Sequence, residues 1–410
     1  IENCENYDKI SQAIIYNQII VLLIYIIPKE KNISRRYHIL KKFNKLSQKY
    51  EIRRNIYLWR FLEQCGKKHR IYYKALFKLN CQKLYLFSNL LISNYDLAKN
   101  IKSKKTVIKD VNKNDLIKMA KKQNKLKVQD IKISVVIPNY NYERFLYQRL
   151  YSILYQKVKI HEIIILDDCS KDNSRNLIDD IVDTLSPYIN IKKIYNDTNS
   201  GSAFKQWHKG FNITEGDYVW IAEADDYCTN KFLKTVIMPI KSNNNIAISY
   251  SDTAFINAEG NIILKSIKPE IDIQKTGHWD KSYINSGIDE IKNYSYLNCT
   301  IANVSSCLIK KGDYSKFLKE SGNYKQAGDW LFYINVIKNG NIAYSNKVYN
   351  YYRVHGNNVS STMNRKKHID EINKIYQYVN NEFKLTKKHE KKMKERIKFL
   401  TNVWGINNEK

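Results

Sequence analysis

Polar side chains stand at the ends of three short apolar runs in the middle of the chain, and two of these endings are acidic. The run 133–137 is followed by Pro-Asn-Tyr-Asn, the run 163–166 by Asp167 and Asp168, and the run 218–222 by Glu-Ala-Asp-Asp. Carboxylates grouped in this way can ligate a hard cation such as Mg²⁺ or Mn²⁺, which would neutralise phosphate oxygens. One acidic pair alone is more often a turn or a helix cap. Three polar endings together predict a ligand site.

The apolar runs are short and rich in β-branched residues, and helical patterns separate them. We expect strands at Ile133–Ile137, His161–Leu166, Ile191–Tyr195 and Tyr218–Ala222, and helices at Glu143–Tyr155, 177–185 and Ser202–Ile213. This alternation predicts right-handed crossovers and a mostly parallel central sheet in an α/β domain. Because parallel strands place their carboxyl ends on one edge, the polar endings should lie side by side, where open sheets bind ligands.

The sequence changes character on both sides of this segment, and we divide the chain into four parts. Residues 1–100 are predicted to form a basic helical region, 101–130 a linker, 131–360 the α/β domain and 361–410 a helical tail. After residue 222 the alternation loosens into a strand at 246–250, irregular polar sequence to about 297, a helix at 329–338 and a strand pair ending near Tyr352. In the tail, Ile369, Ile372, Tyr376 and Val379 recur at helical spacing.

The charge of the chain is strongly positive and unevenly spread. The net charge is +29, and residues 1–130 hold 29 Lys and Arg against 10 Asp and Glu. Such a positive field attracts polyanions, and one explanation is that this region binds an anionic membrane surface. The alternative is that the lysines only form a solvated protein surface. The seven cysteines form no Cys-x-x-Cys pair and are odd in number, which indicates free thiols in a reducing, cytoplasmic compartment.

An apolar stretch near the start of the chain bears on the cytoplasmic location, because it could be a membrane span or a signal peptide. Ala13 to Ile27 is apolar except for Asn17 and Gln18, but its 15 residues fall short of the roughly 20 needed to cross a bilayer. Acidic residues precede it, unlike in a signal peptide. We expect a helix that is buried or rests on a membrane. Since the sequence opens at Ile1, we also expect a fragment or a processed form.

Five segments, in order and spacing, resemble the signature of family-2 glycosyltransferases. They are 133–141 (ISVVIPNYN), 162–170 (EIIILDDCS), 216–226 (GDYVWIAEADD), 327–330 (AGDW) and 352–355 (YRVH). The resemblance covers about residues 131–360. It implies a GT-A fold, which is a Rossmann-like nucleotide-sugar-binding domain, and metal-dependent, inverting transfer of a sugar to an acceptor hydroxyl. It also implies a role in bacterial surface polysaccharide synthesis, such as capsule or O-antigen.

The resemblance assigns roles around the donor. It implies that Pro138 and Tyr140 line the base pocket and that Lys205 lies near the phosphates. It also implies that Asp168 accepts a hydrogen bond from the base N–H, which favours UDP- or dTDP-linked donors. Glu223 bonds the ribose or a metal-bound water. Asp225 and Asp226 hold Mn²⁺ or Mg²⁺, and Arg353 and His355 approach the diphosphate, His355 as a further metal ligand. Without the resemblance, Tyr140 reads as a packed turn residue, Asp168 as a helix cap and Lys205 as a solvated lysine.

The same resemblance makes Asp329 the general base. Inverting transfer needs a group that deprotonates the acceptor hydroxyl as it attacks. The alternative is that Asp329 only stabilises the start of its helix, where the dipole favours a carboxylate. Its neighbour Trp330 is more often a packing residue than a sugar contact.

The expected partners are a nucleotide-sugar donor, a glycan or lipid-linked acceptor and an anionic inner-membrane surface, to which the enzyme would bind peripherally from the cytoplasmic side. Nucleic acid is not expected. Two rival classes remain, a non-catalytic sugar-nucleotide or glycan-binding module and a membrane- or nucleic-acid-binding protein that uses residues 1–130. Neither explains why carboxylates gather at strand ends.

Overall fold

The computed structural model describes residues 108–355, 364–404 and 406. The chain divides into two compact units, residues 105–394 and a second unit of residues 1–104 with 395–410. The sheet and the predicted site residues all belong to the first unit. The predicted helical region 1–100 and the apolar stretch Ala13 to Ile27 lie outside the described residues.

A ten-stranded mixed sheet forms the centre of the first unit. Its strands are β1 (Ile133–Asn139), β2 (Glu162–Asp167), β3 (Ile191–Tyr195), β4 (Tyr218–Ile221), β5 (Tyr227–Cys228), β6 (Ile246–Ile256), β7 (Ile262–Leu264), β8 (Tyr283–Ser286), β9 (Cys307–Lys310) and β10 (Asn341–Arg353). Their order is β3-β2-β1-β4-β9-β6-β10-β5, with β7 paired to β6 and β8 to β10. The four predicted strands β1 to β4 are therefore adjacent, and their pairings are parallel.

Parallel strands covered on both faces explain the unbroken apolar runs. Every residue of β1 and β2 is buried, as expected for strands with helices on both sides. The helices of this half are α1 (Lys113–Asn124), α2 (Glu143–Leu154), α3 (Ser174–Leu185) and α4 (Ala203–Ile213). The predicted α/β fold is confirmed.

The second half of the sheet brings antiparallel strands, where the sequence alternation loosened. β9 runs antiparallel between β4 and β6, while β10 pairs parallel with β6 over most of its length. Where the sequence predicted a strand pair, the structure has the single long strand β10. Register shifts near Ser345 and Val348 divide this strand in two, which explains why its sequence was interpreted as two strands.

The remaining helices connect these strands or follow them. They are α5 (Phe232–Ser242), α6 (Lys268–Ile271), α7 (Gly287–Glu290), α8 (Ser315–Ser321), α9 (Gly328–Ile337), α10 (Arg365–Phe383) and α11 (Lys387–Trp404). The four tail residues predicted to share a face are all buried on α10. None of the helices in the described part of the chain is long and apolar enough to cross a membrane.

The predicted linker 101–130 needs a correction, because it contains α1. Asn112 and Asp115 form a reciprocal capping box at the start of this helix. Leu116, Met119 and Ala120 are buried in the core of the α/β domain. The lysine-rich composition hid this helix, since its lysines occupy the exposed face.

Candidate functional site

The turn after β1 is held against the turn after β2 by buried polar side chains. Asn139 donates to Asp167 at 2.9 Å and to Ser170 Oγ at 3.2 Å. Asp167 is fully buried and also accepts from Arg175 Nε at 3.0 Å. The first aspartate of the pair therefore fixes the turns, and the second, Asp168, is left to face the neighbouring loop.

Asp168 organises the loop that leads into α4. Its Oδ1 accepts from Asn196 at 2.7 Å, from the Ser200 N–H at 2.9 Å and from Gln206 at 2.8 Å. Its Oδ2 accepts from Ser200 Oγ at 2.7 Å. Oδ1 is thus fully used by the protein, whereas Oδ2 retains acceptor capacity for one more donor.

The other predicted base and phosphate contacts flank this loop. Pro138 is buried within β1, and Tyr140 is exposed over 41% of its surface, so its ring is available to a ligand. Lys205 is exposed and donates to the Ser200 oxygen at 3.1 Å. Lys325, which the sequence did not single out, reaches the same loop and donates to the Gly201 oxygen at 3.1 Å.

Glu223 follows β4 and receives the indole N–H of Trp207 at 2.7 Å. Its own N–H donates to Ser305 Oγ at 3.1 Å. Burial and the neighbouring Asp225 raise the pKa of Glu223 to about 8, although the Trp207 bond opposes the rise. The surroundings therefore favour the protonated carboxyl, which can donate a hydrogen bond to a ligand hydroxyl.

Asp225 and His355 lie side by side, although 130 residues separate them in sequence. His355 Nε2 is 3.0 Å from Asp225 Oδ2, and both side chains are largely buried. The imidazole packs against Tyr142 and Phe145, with ring centroids 5.4 and 5.3 Å away. The structure thus brings together two of the three predicted metal ligands.

The third predicted ligand, Asp226, is turned into the protein, and this part of the prediction is corrected. Its Oδ1 accepts the Arg353 N–H at 3.0 Å and its Oδ2 accepts from Asn303 at 2.9 Å. Burial and the charge of Asp225 raise its pKa to about 6. A carboxylate with 1% exposure and both oxygens engaged ties β10 to the end of β4 instead of facing a ligand.

The predicted role of Arg353 as a donor contact is corrected for the same reason. Its side chain is 1% exposed. Its guanidinium donates to the Asp225 oxygen at 2.6 Å, the Ala258 oxygen at 2.7 Å and Gln148 Oε1 at 3.0 Å. Burial lowers the pKa of Arg353 to about 10. We therefore reassign it from donor contact to positioning of the Asp225 loop.

The donor set of Asp225 and His355 fits a divalent cation such as Mn²⁺, which accepts both carboxylate oxygen and imidazole nitrogen. Among the described residues, three side chains that could together ligate a metal ion lie away from this pair, at His161, Glu162 and Glu215. Lys192 donates to both of those glutamates at 3.3 and 3.2 Å. A lysine ammonium therefore already balances part of the negative charge of that cluster.

Asp329 lies in the first turn of α9, half-buried, and accepts the N–H of Trp330 at 2.8 Å. Burial is the main cause that raises its pKa to about 7. Trp330 packs as expected: it is buried, and its indole donates to the Ser295 oxygen at 2.7 Å. A carboxylate with a pKa near neutrality can take up a proton at working pH.

A chain of contacts joins Asp329 to the end of β4. Phe204 meets Trp207 edge to face at 5.0 Å, and Trp207 bonds Glu223. On its other side Phe204 lies against Gly328, where a Cβ would come within 2.7 Å of the ring. The acidic end of β4 and the start of α9 therefore border the same region of the domain.

Some site residues were not predicted from the sequence. Trp207, Asn303 and Ser305 contact the acidic block, and Tyr142 lies against His355. Burial raises the pKa of the Tyr142 phenol, and the charges of Asp225 and Glu223 add to the rise. Tyr142 had one available signal, its place two residues beyond Tyr140 in the turn after β1. The others come from distant segments whose approach no local pattern indicates.

Comparison with known proteins identifies relatives of the central domain. Residues 134–296 match the model of glycosyl transferase family 2. An uncharacterized glycosyltransferase of Haemophilus influenzae is 31% identical over 131 residues, 32% of this chain and 50% of that protein. The poly(ribitol-phosphate) beta-N-acetylglucosaminyltransferase TarS of Staphylococcus aureus is 32% identical over 107 residues, 25% of this chain and 18% of that protein.

A solved structure of S. aureus TarS residues 1–349 with UDP-GlcNAc aligns with a TM-score of 0.47 and 19% identity, covering 68% of this chain and 74% of that one. The first three curated relatives are each matched over half of their length or less. Residues 134–296 therefore form a glycosyl transferase family 2 domain.

Proposed function

We propose that this chain transfers a sugar from a UDP- or dTDP-linked donor to an acceptor hydroxyl, with inversion at the anomeric carbon. The observation that carries the proposal is that Asp168 follows β2 while Glu223 and Asp225 follow β4 at the carboxyl edge of one sheet, where His355 pairs with Asp225. Asp329 borders the same region. A nucleotide-sugar needs separate contacts for its base, ribose, diphosphate and sugar, and this edge offers candidates for the first three.

The donor's base and phosphates would occupy the loop organised by Asp168. The exposed ring of Tyr140 can pack on the base, and Asp168 Oδ2 can accept its N–H. Uracil and thymine offer such an N–H, which supports a pyrimidine donor. Lys205 and Lys325, both bonded to backbone oxygens of the 200–201 turn, supply positive charge beside it.

Asp225 and His355 would hold Mn²⁺ or Mg²⁺. When bound, the cation would stabilise the negative charge of the leaving nucleoside diphosphate. Arg353 fixes the main chain of Asp225 and so presents its carboxylate to the ligand side. Glu223, held by Trp207, would bond the ribose.

Asp329 would act as the general base. The acceptor hydroxyl gives its proton to the carboxylate while its oxygen attacks the anomeric carbon and the bond to the diphosphate breaks. A pKa of about 7 suits this role, because the group is partly ionised at neutral pH and still basic enough to accept the proton.

The similarity to TarS supports a narrower proposal about substrates. We propose a bacterial surface polymer as acceptor, glycan or lipid-linked, with poly(ribitol phosphate) as the first to test and UDP-GlcNAc as the first donor. The basic first third would hold the enzyme at the cytoplasmic face of the membrane, close to such acceptors.

A panel of nucleotide sugars tests this proposal. Thermal stability is measured with UDP-GlcNAc, UDP-glucose, dTDP-glucose and GDP-mannose, with and without Mn²⁺, because a ligand of the native state raises the melting temperature. UDP release from UDP-GlcNAc is then measured with poly(ribitol phosphate). We expect Mn²⁺-dependent stabilisation by a pyrimidine nucleotide sugar, and acceptor-dependent release. Stabilisation without turnover for any donor would instead indicate a non-catalytic sugar-nucleotide-binding module.

A further inference from the structure

The residue Glu371 lies in α10, in the tail beyond the segment matched by the family model. Its side chain is directed at the start of α9, the helix that carries Asp329. Its exposure is only 8%. A buried carboxylate needs hydrogen-bond donors, and these identify what it does.

Three consecutive main-chain N–H groups supply those donors. Glu371 Oε1 accepts from Lys325 N at 2.6 Å, and Oε2 accepts from Gln326 N and Ala327 N, both at 2.9 Å. Ala327 is the N-cap of α9 and has no side chain able to cap it. The carboxylate of another helix therefore binds the segment that enters α9, where the helix dipole also favours negative charge.

The next residues of this segment have little freedom. A Cβ at Gly328 would lie 2.6 Å from the Ser321 oxygen and 2.7 Å from the Phe204 ring, so the chain there is tightly enclosed. On the α10 side, Tyr376 packs edge to face on Trp330 at 5.9 Å and donates to the Leu297 oxygen at 2.9 Å. Asp329 is thus placed by contacts on both sides, and Glu371 provides the charged one.

We propose that Glu371 is a positioning residue of the transferase, which fixes the start of α9 so that the Asp329 carboxylate faces the acceptor with its basicity maintained. This role rests on the proposed function of Asp329 as the base. Glu371 itself touches neither donor nor acceptor. The α10 helix then belongs to the catalytic domain instead of a separate tail.

The charge of Glu371 also acts on Asp329. Burial is the largest cause of the raised pKa of Asp329, the Trp330 N–H opposes it, and the negative charge of Glu371 adds to the rise. Other titratable groups near Asp329 include the thiols of Cys299 and Cys307 and the phenol of Tyr333, and burial raises the pKa of each. Glu371 also faces Tyr324 and His368.

Glu371→Gln tests the charge, because the amide keeps the size of the side chain but is neutral. Removing a nearby negative charge lowers the pKa of Asp329, so the acid limb of kcat/KM should move to lower pH. Displacement of the base should lower kcat by roughly tenfold or more. The Kd for UDP with Mn²⁺ should stay within about twofold, since the donor contacts are elsewhere.

Asp370→Asn is the matched control, because it removes the same charge from the adjacent, exposed position of α10. It should leave kcat, the acid limb and the Kd unchanged. Glu371→Asp separates position from charge: it keeps the charge but withdraws the carboxylate from the three N–H groups. We expect a lowered kcat with the acid limb near that of the wild type.

A folded Glu371→Gln enzyme with wild-type kcat and acid limb would overturn the proposal. If that variant does not fold, Glu371→Asp decides, and a wild-type kcat in it would overturn the proposal equally. Asp329→Asn is assayed alongside with UDP-GlcNAc and poly(ribitol phosphate). If Asp329→Asn is inactive while Glu371→Gln has wild-type activity, only the proposed role of Glu371 is wrong. If Asp329→Asn is active, Asp329 is not the base, and the positioning role of Glu371 fails with that assignment.

A second measurement does not depend on turnover. Amide hydrogen exchange at one or more of Lys325, Gln326 and Ala327 should be faster in Glu371→Gln than in the wild type and in Asp370→Asn, since the glutamine amide replaces one of the two acceptor oxygens by an NH2 group. Unchanged exchange would show that Glu371 does not hold the segment. This result bears on the positioning contact even if no donor in the panel is turned over.

Discussion

The side chain of Arg353, at the end of β10, donates from Nε to the main-chain oxygen of Asp225 at 2.6 Å. Its main-chain N–H binds the carboxylate of the next residue, Asp226, at 3.0 Å. The last strand of the domain therefore fixes the loop after β4 at two consecutive residues. Because His355 follows Arg353 by two residues, the same strand also delivers the imidazole to Asp225.

This arrangement predicts that Arg353→Lys mainly reduces stability. A lysine has a single nitrogen and cannot reproduce the fork that serves the Asp225 oxygen, the Ala258 oxygen and Gln148. We expect the free energy of unfolding to fall by about 2–4 kcal/mol, measured by chemical denaturation. Any loss of UDP affinity should be small in comparison.

Arg144→Lys is the control for Arg353→Lys. Arg144 is exposed and lies over the same ring, Phe145, at 4.3 Å, against 4.4 Å for Arg353. Its replacement should change the free energy of unfolding by less than about 0.5 kcal/mol. If Arg353→Lys unfolds like the wild type but binds UDP with Mn²⁺ much more weakly, its guanidinium contacts the donor after all.

Asp225→Asn should weaken metal-dependent donor binding, because a neutral amide is a poor ligand for a hard cation. In a thermal-shift titration, the added stabilisation by Mn²⁺ plus UDP should shrink or vanish, while UDP alone behaves as with the wild type. An unchanged shift with Mn²⁺ plus UDP would remove Asp225 from the metal site.

Asp226→Asn separates the two neighbouring aspartates. Both oxygens of Asp226 accept hydrogen bonds from the protein. The variant should therefore melt at a lower temperature yet retain the added stabilisation by Mn²⁺ plus UDP. Loss of that stabilisation in Asp226→Asn but not in Asp225→Asn would restore the ligand predicted from the sequence and contradict the placement seen here.

The sequence predicted the first half of the sheet well because its signals are local. Strand β3 has the predicted bounds, and β1, β2 and β4 differ by one or two residues at their ends. Their buried runs and acidic endings can be recognised without knowing their neighbours. By contrast, α1 was masked by lysines, although Leu116 and Met119 lie at helical spacing.

The site was predictable only where a motif identified it. The family resemblance assigned Asp225 and His355 to one metal site, and in the structure their side chains lie 3.0 Å apart. The inward turn of Asp226 depends on Asn303, and the anchor of α9 depends on Glu371. These partners come from segments far apart in sequence, so no spacing rule could have linked them.

The basic first third, of which residues 1–107 lie outside the described residues, is predicted to bind anionic membranes. In flotation assays the chain should rise with vesicles of phosphatidylcholine and phosphatidylglycerol, and less with phosphatidylcholine alone, and salt should reduce the difference. Replacing Lys41, Lys42 and Lys45 by glutamine should weaken binding, at about 1 kcal/mol per charge near the surface. Equal recovery with both vesicle types, insensitive to salt, would refute the electrostatic attraction.

The last prediction concerns Asp329→Asn, which separates a general base from a helix-start residue. A base contacts the acceptor, so UDP binding should stay nearly intact while turnover falls by roughly 10²-fold or more. A residue that only favours the dipole would instead cost a little stability and hardly any rate. UDP release from UDP-GlcNAc with acceptor, together with a UDP titration, measures both quantities.

The pH dependence of stability gives an independent reading of the same residue. The pKa of Asp329 is raised from 3.8 to about 7 in the folded chain, so the native state holds a proton that the unfolded state has lost between these values. Its contribution to stability is therefore present below about pH 4 and declines as the pH rises toward 7. Asp329→Asn cannot ionise, so the variant should lose less stability over this range than the wild type. Parallel stability curves from pH 4 to 7, with near wild-type turnover, would exclude Asp329 as the base.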